Sequence, residues 1–162
     1  MRRKNREVTD INEIKAIVDK LSVARLGMND EGKVYIVPMN FGYEWREGRK
    51  LALYFHCAKV GRKIDILKKN NAVCLEMDGS HGLMEGDKAC DYSYYFASLI
   101  GNGTVEFVED TQEKIHGLSL IMKHMAGMED ANFEEKWVNA VCIFKVELTE
   151  YRVKQNQPAR GQ

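Results

Sequence analysis

Apolar residues recur at two different spacings along this chain, and the changes of spacing mark out its elements. Ile11, Ile14, Val18 and Leu21 repeat at helical intervals. Asp10 followed by Glu13 makes a capping-box-like start, so a helix is predicted over residues 10–21. Residues 1–8 before it are polar and are expected to be loosely held. The period then shortens, and strands are predicted over residues 23–28, 34–43, 51–56, 72–78, 94–109 and 141–153. Asn29-Asp30-Glu31-Gly32 and Gly48 supply turns between the first three, the signature of an antiparallel meander. Pro38 cannot donate a ladder bond, which puts its strand at an edge or a bulge, where a ligand can reach the backbone. Gly101 and Gly103 predict a sharp barrel-corner bend in the fifth strand.

Two more helices follow from the same reasoning. Residues 61–70 place Ile64 and Leu67 inward. Residues 110–126 repeat the capping box with Asp110 and Glu113 and carry Ile115, Leu118, Ile121, Met122 and Met125 on the buried side. Residues 79–93, with three glycines, read as a long loop suited to a lid or a partner contact. Trp45 and Trp137 are expected as core or interface anchors. Strand–helix–strand alternations are too sparse for a doubly wound sheet. The expected fold is mainly β: a six-stranded antiparallel barrel with helices, one domain over 1–162 with its core at about 8–153.

Composition narrows the function. Lys+Arg and Asp+Glu are equal at 24 each, so the basic excess of a nucleic-acid binder is missing and any anion is held locally. The apolar runs are too short to span a bilayer. Cys57, Cys74, Cys90 and Cys142 form no C-x-x-C pair, and the start Met1-Arg2-Arg3-Lys4 leads into polar residues rather than a signal sequence. Both features point to reduced thiols, no metal site and a cytoplasmic location.

The chemistry concentrates in Phe55-His56-Cys57-Ala58-Lys59-Val60-Gly61-Arg62-Lys63, which runs from a strand end into a helix start. Helix N-termini favour carboxylates, yet this first turn presents Arg62 and Lys63, with Lys59 and His56 just upstream. Each such cation costs about 0.3–1 kcal/mol unless an anion offsets it. A bound phosphate would do so, taking bonds from free backbone N–H groups and from these side chains. The alternative is a solvated basic loop neutralised by Asp65 and Glu76. The two standard Gly-rich phosphate motifs are absent.

Val34-Tyr35-Ile36-Val37-Pro38-Met39-Asn40-Phe41-Gly42-Tyr43 and Leu53-Tyr54-Phe55-His56 with Ala58, Gly61, Arg62 and Lys63 resemble the 5-nitroimidazole resistance (Nim-type) proteins. These belong to the pyridoxamine 5′-phosphate oxidase-like, FMN-binding split-barrel superfamily. Ser98-Leu99-Ile100-Gly101-Asn102-Gly103-Thr104-Val105-Glu106-Phe107 and Leu120-Ile121-Met122-Lys123-His124 are similar too. The resemblance implies a split barrel that forms a homodimer, with FMN or FAD at the interface. By position, Val37, Pro38, Met39 and Asn40 would line the flavin ring, and Phe55 and His56 would lie between ring and phosphate. Arg62, Lys63 and Lys59 would hold the phosphate, and Ser98 falls where better-known oxidases carry a glutamine. The isolated Arg152 and Arg160 do not make the arginine-rich tail of those oxidases.

The function implied is an FMN-dependent oxidoreductase passing electrons to a small oxidised organic acceptor, with His56 as the candidate proton donor. Two alternatives stand beside it. One is a non-catalytic flavin-binding module. The other is a haem-binding split-barrel protein with His56, His81 or His116 as axial ligand.

Overall fold

The computed structural model describes residues 4–157. Met1–Arg3 of the basic start and Arg160 of the tail lie outside the described residues. Eight strands form one antiparallel sheet: β1 (Glu7–Val8), β2 (Ala24–Asp30), β3 (Lys33–Met39), β4 (Gly42–Trp45), β5 (Leu51–Cys57), β6 (Ala72–Met84), β7 (Ser93–Val108) and β8 (Cys142–Asn156). Their order is β3-β2-β6-β7-β8-β5-β4, with β1 added against the far end of β8. The helices are α1 (Ile11–Val18), α2 (Arg62–Lys69), α3 (Thr111–Ala126) and a short α4 (Glu135–Val138).

Mainly antiparallel β structure is as expected, but the strand count is eight rather than six. The predicted second strand breaks at Asn40-Phe41. Its halves go to opposite ends of the sheet, β3 onto β2 and β4 onto β5. Phe41 drives the break, because its ring is fully buried at the joint. Pro38 lies on β3, an outermost strand, where a missing N–H is tolerated. The expected loop at 79–93 is largely a hairpin. β6 continues to Met84 across a register shift between Gly79 and Gly82, and pairs with β7 through Ser93. Within the polar start Glu7 and Val8 are not loose, since Val8 is buried and β1 pairs with β8.

Interior packing follows the alternation of the strands. Leu51, Leu53 and Phe55 of β5 meet Phe144, Val146 and Leu148 of β8 inside the barrel. Ala52 and Tyr54 face the other way, with Ile143, against α3. This explains why Leu51–Phe55 reads as an unbroken apolar run: both faces of that segment are covered. Asp10 and Asp110 cap α1 and α3, each accepting from the N–H three residues on at 2.9 Å. Gly101 and Gly103 lie against Tyr151 and Val146 where the β7–β8 register shifts, within a strand that runs unbroken from Ser93 to Val108. Met125, expected on the buried side of α3, is 37% exposed, and Trp137 at 62% exposed is not a core anchor; Trp45 packs against Tyr151.

α3 is fastened to the sheet by charge as well as packing. Glu44 accepts from Arg46 at 2.8 Å and lies 2.9 Å from His116, while Lys145 reaches Glu113 at 2.6 Å. Burial pushes the Glu44 carboxyl up, but Arg46 and His116 outweigh it and hold it below the usual range. A lowered folded value gives stability that is present above the unfolded value and lost as pH falls through the folded one. Thermal unfolding from about pH 7 to about pH 3 is expected to show this loss. Glu44→Gln, less stable at neutral pH, is expected to lose less on acidification. Packing is tested by Gly42→Ala: a Cβ there would meet the backbone of Leu120 and Ile121. Urea unfolding is expected to show a loss of about 1–3 kcal/mol or more.

Candidate flavin site

β5 ends at Cys57, the chain turns through Ala58–Gly61, and α2 begins at Arg62. Gly61 sits at φ +130°, a conformation that side chains disfavour, and it offers no capping group. The first N–H groups of α2 are thus without the carboxylate that α1 and α3 both have. The turn is exposed from Ala58 to Arg62.

Two side chains, Arg62 and Lys63, reach from the start of α2 to the β2–β3 hairpin. Arg62 donates through Nε and Nη2 to Asp30 Oδ2 at 3.0 and 2.8 Å, and its guanidinium lies 4.3 Å from the centre of the Tyr35 ring. Lys63 Nζ lies 3.3 Å from Met39 Sδ. The Arg62 side chain is more than half exposed, so its ion pair adds only about 0–1 kcal/mol and serves mainly to orient it. Asp30 is therefore the counter-charge, not Asp65 or Glu76; Glu76 is engaged by Arg25. Lys59 and Lys63 have no carboxylate partner among the described residues.

Among the residues singled out by sequence, the fold gathers Met39, Arg62 and Lys63 directly, with Val37 half-buried and Pro38 exposed beside Met39 on β3. Asn40 is exposed and donates to the Ser22 carbonyl at 2.9 Å. His56 is exposed on β5, opposite Ile143. Phe55 differs from expectation. Its ring is fully buried and stacked on Phe144 at 5.2 Å, so only its backbone is available to a ligand.

Ser98 stands apart in the single chain. It lies on β7, three strands from β3, which is about 14 Å along a sheet. There it borders a separate groove of about 870 Å³ with Ile100, Arg49, Tyr151, Arg152 and Lys154. The other histidines are engaged: His81 with Asp78 at 2.7 Å, His116 with Glu44, and His124 with the Leu21 carbonyl at 2.7 Å. Sequence reasoning missed Asp30 and Tyr35. Asp30 was visible only as a turn residue, and Tyr35 only as a strand residue.

The pyridoxamine 5′-phosphate oxidase family model matches residues 10–155, nearly the whole described chain. The chain belongs to the pyridoxamine 5′-phosphate oxidase family. A candidate 5-nitroimidazole antibiotic resistance protein from Bacteroides thetaiotaomicron is similar at 34% identity and a TM-score of 0.79, over 92% of this chain and 86% of that one. The flavocytochrome Anf3 from Azotobacter vinelandii has a TM-score of 0.77 at 23% identity, over 98% and 72% of the two chains. An FAD and haem binding protein from Mycobacterium smegmatis has the same score at 15% identity, over 94% and 74%. At those identities the last two show a shared fold. A search of curated proteins gives no match. Among the described residues no helix is long and apolar enough to cross a membrane.

This oxidase-family fold separates two neighbours on β5 by side-chain direction. Phe55→Ala is expected to cost about 3–5 kcal/mol in urea unfolding, because the ring leaves the core. His56→Ala, at an exposed position, is expected to stay within about 0.5 kcal/mol of the parent.

Proposed function

We propose that this chain is a flavin-dependent oxidoreductase that holds FMN by its phosphate and passes electrons to small oxidised organic acceptors, nitro-aromatics included. The observation that carries the reading is the α2 turn, where an uncapped helix start, an exposed Gly61 and two cations without carboxylate partners come together. A phosphate suits that donor set: the backbone N–H groups and Lys63 supply donors, and the helix dipole favours the charge. Family membership and the likeness to the Bacteroides protein support a flavin as the owner of that phosphate.

Flavin, when bound, supplies the electron transfer; the chain supplies position and protons. Lys63 and the first turn of α2 would hold the phosphate, with Lys59 adding charge. Arg62 would turn from Asp30 or bridge both. The β3 edge at Val37, Pro38 and Met39 would line the ring, with Asn40 fixed by the Ser22 carbonyl. His56, exposed and one residue before the end of β5, would donate a proton from its ring nitrogen to the reduced acceptor. The reading takes the protein to act in the cytoplasm.

The same reading includes a homodimer. Val34 is 79% exposed, Ile36 56% and Ile100 52%, and register puts all three on the outer face of one sheet. A second copy covering that face would remove apolar surface from water. It would also bring the Ser98 groove of one subunit toward the cation turn of the other.

Arg62→Ala with Lys63→Ala is expected to weaken FMN binding by about 2–5 kcal/mol, read by fluorescence titration. Unchanged affinity would remove the phosphate assignment. Photoreduced flavoprotein is expected to reoxidise faster, without oxygen, when a nitroimidazole is added. Stoichiometric flavin with no acceleration across an acceptor panel would favour a non-catalytic flavin module, and a Soret band in the purified protein would favour haem.

A further inference from the structure

Cys57 and Cys142 lie far apart in sequence, and the fold sets them directly opposite each other. Cys57 is the last residue of β5, Cys142 the first of β8, and the two are register partners in the antiparallel pair. Directly opposed residues in such a pair have Cα atoms about 4.5 or about 5.5 Å apart and point to the same face. Both spacings fall inside the range a disulfide spans, about 4.4–6.8 Å. Both side chains are half-buried rather than sealed, so a small reagent can reach them. Cys57 packs at the end of the barrel core, so both thiols sit at its rim.

We infer that Cys57 and Cys142 form a reversible redox pair, a dithiol that closes to a cross-strand disulfide by exchange with a low-molecular-weight disulfide. The inference does not depend on flavin binding. The Cys57 thiolate attacks one sulfur of the reagent and expels a first small thiolate. Cys142 then attacks the Cys57 sulfur of the mixed disulfide, giving up its thiol proton as it does so, and expels the second small thiolate, which takes up a proton. Two electrons and two protons leave the pair, and the reagent is reduced to two thiols. Burial first, then the adjoining Cys57 sulfur, push the Cys142 thiol up to about 11, so Cys142 keeps its proton. That orders the steps, with Cys57 attacking first.

Cys74 and Cys90 are exposed and have no cysteine opposite them. They serve as internal controls in the test. The full chain is treated with oxidised glutathione, its remaining thiols are alkylated, and peptides are mapped by mass spectrometry without reduction. The expected product is a linked Cys57–Cys142 peptide, lighter by about 2 Da than the two free peptides and restored by dithiothreitol. Cys142→Ser is expected to trap glutathione on Cys57. Cys57→Ser is expected to abolish the linked peptide and leave Cys142 without an internal bridge. Glutathione on Cys74 and Cys90 alone, with Cys57 and Cys142 still alkylatable as free thiols, would overturn the inference. So would linkage of either cysteine to another chain in place of the internal bridge.

Discussion

A short helix that begins with two cations and no cap has to be held by something other than its own start. In this chain the fastening crosses to another hairpin: Arg62 reaches Asp30 and Tyr35, and Lys63 reaches Met39. The β2 ladder sets where the edge strand β3 lies, and these contacts orient Arg62 and Lys63 toward it across the turn after β5. Apolar burial of Ile64, Ile66 and Leu67 holds the other side of α2 in the core. The helix is thus fixed by packing on one face while its charged opening turn stays toward solvent. The unfavourable placement of charge can persist because packing elsewhere supports it.

The same fold places complementary features on different strands of one subunit. The cation turn lies beside β3, while Ser98, Ile100, Arg152 and Lys154 line a groove on β7 and β8. A single chain cannot close these onto one ligand without crossing the sheet. In the proposed homodimer a second copy would bring them together, and the exposed apolar residues on the outer face are what that copy would cover.

Much of the architecture was legible from periodicity, and the exceptions have physical causes. The two Asp caps set the starts of α1 and α3 within a residue, because an Asp side chain on a neighbouring N–H is a local interaction. The break at Asn40-Phe41 was hidden because apolar alternation continues through it; only burial of Phe41 from several sides turns the chain. Within the site, a cluster contiguous in sequence was readable, so Arg62 and Lys63 stood out. Asp30, Tyr35 and the Cys57–Cys142 pairing were not, since each depends on strand register between distant segments. The burial of the Phe55 ring was hidden for a related reason: a strand residue beside an exposed one points to the opposite face.

The central claim is that the anionic group of the cofactor rests on the opening turn of α2. A crystal structure of the full chain grown with FMN tests it most directly. The expected result is the phosphate within hydrogen-bond distance of Lys63 Nζ and the first backbone N–H groups of the helix. A flavin with its phosphate in the Ser98 groove of the same subunit, leaving Lys63 against Met39 and the helix start bare, would contradict it.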